Sequence, residues 1–327
     1  MSFLFLKLLR KLCRSFYKYE IILIEKIIQF KFEKYQKNIK FNENLINFNK
    51  INNNFNKKKL PSHMEIVICF FFRKERIKNL KKIINKINLF NFKTNISIVT
   101  NNISKKDLSI IKKRIKNVKI LVIKDIPEQN LLPWYCFDHL KRKYINKKIS
   151  HFLYLEDDIL INEINIHYWL NFREILKKYK LIPGFIRCEK KNNKFYAVDY
   201  LSQIILKNTP KFYFRYKQSG VFNTKFPYHA ASLLDRNLMK EYSNNKQVNI
   251  DYGFHNKFLK LSYPIKELAN IIIGFVNVPK YFYNRFFLPF YEVKKIPEYC
   301  LIQHLDNKYS KLQNKKFGKY EIDKLII

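Results

Sequence analysis

Apolar runs of strand length alternate with stretches of helical periodicity through the first half of the chain, and this order constrains the fold most. The predicted strands are residues 64–72, 95–100, 118–123 and 151–155. The predicted helices between them are residues 73–88, 105–115 and 132–144. Strands that alternate with helices are typical of βαβ units, which place a mostly parallel sheet between layers of helices. We therefore predict an α/β fold.

Three consecutive acids, Glu156, Asp157 and Asp158, follow the last of these strands and are called the acidic triplet below. In an open α/β sheet the ligand crevice lies at the carboxyl ends of the strands, where this triplet falls. Carboxylates packed together raise the cost of ionising one another, and a bound divalent cation removes that cost. The triplet therefore predicts a magnesium or manganese site, and the alternative is a polar turn that happens to hold three acids.

The chain of 327 residues is strongly basic, with 64 lysines and arginines against 26 aspartates and glutamates and a net charge of +38. Such a surplus favours polyanionic partners, namely nucleic acids, anionic lipids or phosphorylated substrates. Lysine, asparagine and isoleucine are all frequent, a composition that AT-rich genomes also produce, so the charge alone does not select among these partners. A hydrophobic content of 47% predicts a folded chain.

Residues 1–60 are predicted as a basic N-terminal extension, residues 61–310 as the main domain and residues 311–327 as a C-terminal tail. The extension begins with a basic amphipathic helix and ends in an asparagine- and lysine-rich linker. Its uncharged stretches are too short to span a bilayer, and it lacks the apolar core and cleavage site of a signal peptide. The helix either lies on an anionic membrane surface or packs on its own domain.

Five cysteines are widely spaced and form neither a CxxC pair nor a zinc-finger pattern; they are Cys13, Cys69, Cys136, Cys188 and Cys300. A disulfide framework is therefore not expected, which is typical of proteins in a reducing compartment. We predict a cytoplasmic protein that associates with the inner face of the plasma membrane if its N-terminal helix binds lipid.

Several nucleotide-binding and hydrolytic motifs are absent from the sequence. No GxGxxG follows a predicted strand, and the sequence contains no P-loop, GxSxG or HExxH motif. Dinucleotide sites, P-loop sites and the corresponding hydrolase sites therefore have no support. An enzyme with this sequence would bind phosphate through a metal and basic residues.

The strand–helix order that leads to the acidic triplet resembles the GT-A class of nucleotide-sugar glycosyltransferases, which place a DxD-type motif on the metal and the donor diphosphate. In this chain Glu156 stands where the motif has its first aspartate. Downstream segments resemble bacterial glycosyltransferase-like proteins with an EDD strand; they are residues 167–173, 181–189, 278–289 and 302–309. The resemblance covers residues 64–309.

This resemblance implies a GT-A-like (Rossmann-like) mixed sheet and a divalent cation, Mn²⁺ or Mg²⁺. It implies that Asp158, with Asp157, binds the metal, and that Glu156 faces the donor ribose or a metal-bound water. Many GT-A enzymes complete the metal shell with a histidine near the carboxyl end, and His304 is in that place. An isolated histidine in a partly apolar run is otherwise more often a core residue.

Four further residues are candidates for substrate binding or catalysis. Arg187 either forms a structural ion pair with Glu189 or contacts a substrate. The small-residue segment around His229 enters a predicted helix and, by the GT-A comparison, lines the cleft. His229 is therefore a donor-binding candidate, together with Arg187, and Asp235 is a candidate for the catalytic base. Asp251 is the other candidate for the base, and its alternative role is a helix cap.

These observations predict a metal-dependent glycosyltransferase that moves a sugar from a nucleoside-diphosphate sugar to a hydroxyl acceptor on a cell-surface glycan or a lipid. The metal and nearby basic side chains would stabilise the leaving diphosphate, and a carboxylate or histidine would accept the hydroxyl proton. Two other classes stay open, a metal-dependent nuclease or phosphotransferase and a non-catalytic nucleic-acid-binding protein. The late histidine and the aromatic residues within apolar runs favour the glycosyltransferase, so no specific nucleic acid is expected as a partner.

Overall fold

A computed structural model describes residues 60–101, 103–124, 126, 129–214, 219–245, 264–292, 294–311 and 317–327. The predicted N-terminal helix and linker, and the candidate base Asp251, lie outside these residues. The strands are β1 His63–Phe70, β2 Lys93–Thr100, β3 Lys119–Val122, β4 His151–Glu156, β5 Ile159–Leu160, β6 Ile182–Pro183, β7 Ile186–Lys191, β8 Lys194–Ala197, β9 Lys211–Tyr213, β10 Gly220–Asn223, β11 Ala231–Asp235, β12 Phe286–Phe290, β13 Leu301–His304 and β14 Tyr320–Glu321. The α-helices are α1 Ile77–Ile87, α2 Lys105–Arg114, α3 Leu132–Tyr144, α4 Glu163–Leu176, α5 Arg236–Asn244, α6 Ile265–Ile271 and α7 Lys308–Lys311.

The central sheet has the strand order β3-β2-β1-β4-β11, in which the first four strands are parallel and β11 is antiparallel. The chain leaves β1 towards β2 and β3 and then returns to β4 on the other side of β1. The order therefore reverses between β1 and β4, and ligands of open α/β sheets bind at such a switch point. The predicted α/β class, with a mostly parallel sheet flanked by helices, is confirmed.

Apolar packing explains why the sequence pattern of these elements is so clear. All eight residues of β1 are buried. Helix α1 contributes Leu80, Ile83 and Ile87 to the same core. Helix α3 contributes Phe137, whose ring stacks on Tyr154 of β4 with centroids 5.0 Å apart. Burial stabilises the fold by about 1.5–3 kcal/mol for each side chain of this size, so the core fixes β4 firmly beside β1.

A second sheet, with the order β14-β8-β7-β13-β5, brings the C-terminal part of the chain to the acidic triplet. Strand β13 runs parallel to β7 and antiparallel to β5, which follows the triplet directly. In this register His304 lies opposite Ile159, and the Leu305 amide donates to the Asp158 carbonyl at 2.8 Å. Backbone hydrogen bonds therefore hold His304 next to the triplet.

The remaining elements complete the domain around these two sheets. A third sheet has the order β6-β12-β10-β9. The small-residue segment around His229 leads into strand β11, which pairs with the otherwise free edge of β4, and only then into helix α5. Within the stretch predicted as a C-terminal tail, β14 pairs with β8, and Ile322, Leu325 and Ile326 are buried.

Two further properties concern the described residues as a whole. The four cysteines among them, Cys69, Cys136, Cys188 and Cys300, are buried and free. In the same parts of the chain, no helix combines the length and hydropathy needed to cross a bilayer.

Candidate metal and substrate site

The acidic triplet lies at the switch point of the central sheet. Glu156 ends β4 and pairs in register with Cys69 of β1, and the two aspartates form the turn into β5. Asp157 and Asp158 are each only 3% exposed. Because β1 and β4 are parallel neighbours, the triplet faces the segment that follows β1, which includes Arg76. The carboxylates are thus largely removed from water beside one arginine.

Arg76 is ion-paired with three aspartates. Its Nη1 lies 2.6 Å from Asp157 Oδ1, and its Nη2 lies 2.9 Å from Asp158 Oδ2. The same Nη2 lies 2.6 Å from Asp306 Oδ2, and the second oxygen of Asp306 accepts from Asn79 Nδ2 at 2.8 Å. Sequence reasoning missed both Arg76 and Asp306. A signal for Asp306 existed, because it is two residues after His304, whereas nothing distinguished Arg76 among the many basic residues.

The His304 ring bridges the triplet and a buried glutamate. Its Nε2 lies 3.3 Å from Asp158 Oδ2, and its Nδ1 lies 2.6 Å from Glu189 Oε1. Glu189 is fully buried and also accepts from the backbone amide of Ser310 at 2.6 Å. Burial raises the pKa of Glu189, but these hydrogen bonds outweigh burial and lower it, so the group is an anion at neutral pH. When the ring is neutral, an Nδ1–H that donates to this anion leaves the lone pair on Nε2, the nitrogen nearest Asp158, where a metal could accept it.

Three residues have the composition and spacing of a metal site. Among the described residues, Asp158, His304 and Asp306 each offer a ligand atom within 4.8 Å of the others. Asp157 Oδ2, Asp158 Oδ1 and His304 Nε2 are buried and have no hydrogen-bond partner, because the contact of Nε2 with Asp158 is not aligned for one. Carboxylate oxygens and a neutral imidazole are suitable ligands for Mn²⁺ and acceptable ones for Mg²⁺. The residues present therefore fit a divalent cation.

The three acids of the triplet differ in pKa. Burial, followed by the charge of Asp158, raises the pKa values of Glu156 and Asp157, that of Asp157 well above its usual range. Burial also acts to raise the pKa of Asp158, but the partners His304 and Arg76 outweigh it and lower the value to about 2. Asp158 is therefore the acid of the triplet that is held most firmly as an anion and is best suited to bind a cation.

The triplet opens into a cleft of about 290 Å³. Its lining also includes His304, Arg73, Arg76, Arg187, Tyr228, Lys266, Glu267 and Lys308. Arg187 does not pair with Glu189, as one alternative from the sequence had it, but forms a bidentate ion pair with Asp199. The Arg187 guanidinium also lies 5.1 Å from the centre of the Tyr228 ring, whose hydroxyl donates to Glu156 at 2.5 Å. Arg187 and Tyr228 therefore form one wall of the cleft.

Two predicted site residues do not line the cleft, although the segment that contains His229 runs beside the triplet, where the Glu156 amide donates to the Ala230 carbonyl at 3.1 Å. Asp235 pairs in register with His151, at the opposite end of β4, where it caps α5 and binds Arg173 Nε at 2.7 Å. The His229 ring is buried against Phe185 and Phe286, and burial lowers its pKa to about 4. Neither side chain lines the cleft that contains the triplet.

A second cavity of about 290 Å³ lies elsewhere in the domain. Its lining includes Tyr200, Gln203, Asn208 and Tyr283 and contains no carboxylate. None of the predicted site residues lines it, so the chemistry suggested by the sequence belongs to the cleft at the triplet.

In the comparisons with known proteins, this chain matches solved structures distantly and matches no sequence family. No known protein family and no curated protein matches the sequence. One match is the mannosyltransferase PcManGT from Pyrobaculum calidifontis, solved in complex with GDP-Man and Mn²⁺. The alignment covers 46% of this chain and 40% of the PcManGT chain, at 7% sequence identity and a TM-score of 0.29. Residues 1–349 of S. aureus TarS align with 55% of this chain and 48% of that one at 12% identity and a TM-score of 0.31. The chain thus spans less than half of either protein, and no family is assigned.

Proposed function

We propose that the chain is a metal-dependent glycosyltransferase that uses a nucleoside-diphosphate sugar. The observation that carries the proposal is the convergence of Asp158, His304 and Asp306 at the switch point of a mostly parallel sheet, beside a cleft lined with basic residues. The resemblance of the acidic strand and the late histidine to GT-A enzymes supports the same reaction class. A hydroxyl on a glycan or a lipid is the acceptor that this class implies.

The chain's own residues account for binding of the donor. Asp158 and His304 would hold the divalent cation, with Asp306 or Asp157 as a further ligand, and the cation would neutralise charge on the leaving diphosphate. Lys266 and Lys308 are exposed in the same cleft, where their ammonium groups can contact phosphate oxygens. The cleft thus offers positive charge at the place where negative charge develops in the reaction.

Glu267 is the proposed base that accepts the proton of the acceptor hydroxyl. It lines the cleft and lies in the first turn of α6. Burial raises the pKa of Glu267 to about 7, with further raising by Asp199 and Glu156 against lowering by Lys266. A base with a pKa near the working pH combines an ionised form with enough basicity to take the proton. Asp251 stays the alternative candidate.

A thermal-shift experiment tests the proposal. The full chain is heated with UDP, GDP, CDP or dTDP, each with and without Mn²⁺, and we expect one of them to stabilise the protein when the metal is present. Asp158→Asn should abolish that shift because it removes the most acidic ligand, whereas the exposed control Asp323→Asn should keep it.

Two results would contradict the proposal. Stabilisation by a nucleotide that is equal with and without Mn²⁺, or that survives Asp158→Asn, would refute the metal-dependent site. Stabilisation by single-stranded RNA or DNA, with none by any nucleotide, would favour the nuclease or the nucleic-acid-binding class instead.

A further inference from the structure

Arg76 occupies the oxygens that a bound metal would need. Its Nη2 lies 2.9 Å from Asp158 Oδ2 and 2.6 Å from Asp306 Oδ2, and both aspartates belong to the candidate metal ligands. Bonds of about 2.1 Å from a divalent cation to these oxygens would place the cation within about 5 Å of Nη2. A guanidinium and a divalent cation repel each other strongly at that distance in a site with little water.

We propose that Arg76 is a built-in competitor of the divalent cation and leaves Asp158 and Asp306 when the metal binds. The inference rests on the metal site of the proposed function. Like the metal, the guanidinium compensates the charge of Asp158, which is 3% exposed, and of Asp306, whose side chain is 21% exposed, so the two cations would serve the same carboxylates.

The surroundings of Arg76 allow this exchange. Its Nη1 is bonded to Asp157 Oδ1 at 2.6 Å, so the side chain keeps one partner when the other two contacts break. Asp306 stays in place because Asn79 holds its second oxygen. The Arg76 side chain is 17% exposed and lines the cleft, so the guanidinium can turn towards it, where a diphosphate offers bidentate acceptors.

Measurement of Mn²⁺ affinity on the full chain, without any nucleotide, tests the competition. The free Mn²⁺ signal in electron paramagnetic resonance gives the affinity of the wild type, of Arg76→Met and of the control Arg73→Met. Arg73 lines the same cleft but is exposed and lacks the three ion pairs of Arg76. We expect Arg76→Met to bind Mn²⁺ at least about tenfold more tightly than the wild type, because charged hydrogen bonds no longer have to break. Arg73→Met should differ from the wild type by less than about threefold, as expected for a screened charge.

A second variant provides a test that does not depend on the methionine side chain. Arg76→Ala leaves space for free guanidinium, so a few millimolar guanidinium chloride should weaken Mn²⁺ binding to Arg76→Ala relative to the same concentration of NaCl. The wild type should show no such difference. Circular dichroism spectra that match the wild type would establish that both variants are folded.

The outcomes separate this inference from the proposed function. Equal or weaker Mn²⁺ binding by Arg76→Met, or no binding at all, would overturn the competition and leave Arg76 as a residue that positions the carboxylates. Binding by Arg76→Met but not by the wild type would support the competition, and the nucleotide experiment above would then decide the metal dependence of the native protein. Failure of nucleotides to bind would refute the proposed function without changing the Mn²⁺ result.

Discussion

Replacement of Glu189 by glutamine tests whether the orientation of His304 matters for the metal site. Glu189 accepts from His304 Nδ1 through one oxygen and from the Ser310 amide through the other, both at 2.6 Å. An amide offers one acceptor oxygen and one donor nitrogen. If the side-chain oxygen of the glutamine accepts from the Ser310 backbone amide, the NH₂ group of that side chain faces His304 Nδ1. Nδ1 must then accept a hydrogen bond, so the ring proton moves to Nε2, where it blocks metal binding. If the oxygen instead accepts from His304 Nδ1, the backbone amide of Ser310 is left without a hydrogen-bond partner.

Both arrangements have a cost that can be estimated from the contacts. A buried donor without a partner costs about 1–3 kcal/mol, so the free energy of unfolding of Glu189→Gln should fall by that amount. Loss of the group that orients a ligating histidine typically weakens metal binding by about 10–100-fold. The pKa of Glu189 is lowered in the fold, so its contribution to stability is present at neutral pH and is lost as pH falls through that lowered value.

Calorimetric titration with Mn²⁺ and urea denaturation at pH 7.5 measure the two effects. The control is Glu298→Gln, which makes the same chemical change at an exposed glutamate and should alter neither quantity by much. Normal Mn²⁺ affinity in a destabilised Glu189→Gln protein would refute the reasoning, because His304 would then be oriented without Glu189. Unchanged stability would refute the hydrogen-bond estimate.

Three further predictions follow from the charges and from the N-terminal sequence. Burial lowers the pKa of His304, but Asp158 and Glu189 outweigh burial and raise the pKa above its usual 6.5. Because Mn²⁺ must displace the ring proton, the affinity for Mn²⁺ should decrease as the pH falls through this raised pKa. A calorimetric affinity that is the same at pH 8 and pH 6 would contradict this prediction. The pKa of Glu267, raised to about 7, implies that the free energy of unfolding falls as pH rises from about 4.5 to about 7, by roughly 1–2 kcal/mol because solvent screens this partly exposed carboxyl; Glu267→Gln should remove that fall in urea denaturation at pH 5 and pH 8. Deletion of residues 1–60 should abolish sedimentation with anionic liposomes and leave Mn²⁺ binding intact; a full chain that ignores such liposomes at low salt would favour packing of the helix instead.

The sequence predicts the centre of the main sheet well because β1 and β4 are buried along nearly their whole length and read as long apolar runs. Helix α3 spans the predicted residues 132–144, and β1, β2 and β3 lie within a few residues of their predicted bounds. Beyond residue 161 the strands are short and mostly antiparallel, and apart from the sequence-adjacent pairs β7–β8 and β9–β10 their pairing depends on distant parts of the chain. No local pattern specifies such distant partners, so the sequence alone does not predict the second and third sheets.

The candidate site is predictable in the same uneven way. The sequence indicates the acidic triplet because acids are rare in this chain, and the resemblance to GT-A enzymes implies His304. Arg76 comes close to the triplet only because β1 and β4 are neighbours in the sheet, and the sequence alone does not show that pairing. The sequence does not show that β11 runs antiparallel to β4, and this direction places the Asp235 carboxylate at the far end of β4 from the triplet.

The insertion of β13 between β7 and β5 has a consequence for the order in which the protein matures. A chain leaves the ribosome amino end first, and domains begin to fold during synthesis. The triplet and Arg76 therefore emerge long before His304 and Asp306, and in a nascent chain the arginine can pair with Asp157 and Asp158 before those two proposed ligands have been synthesised. If the proposed donor set captures a metal, it can do so only after the last strand of the site has formed, so metal loading would be a late step of biosynthesis and prematurely terminated chains would lack it.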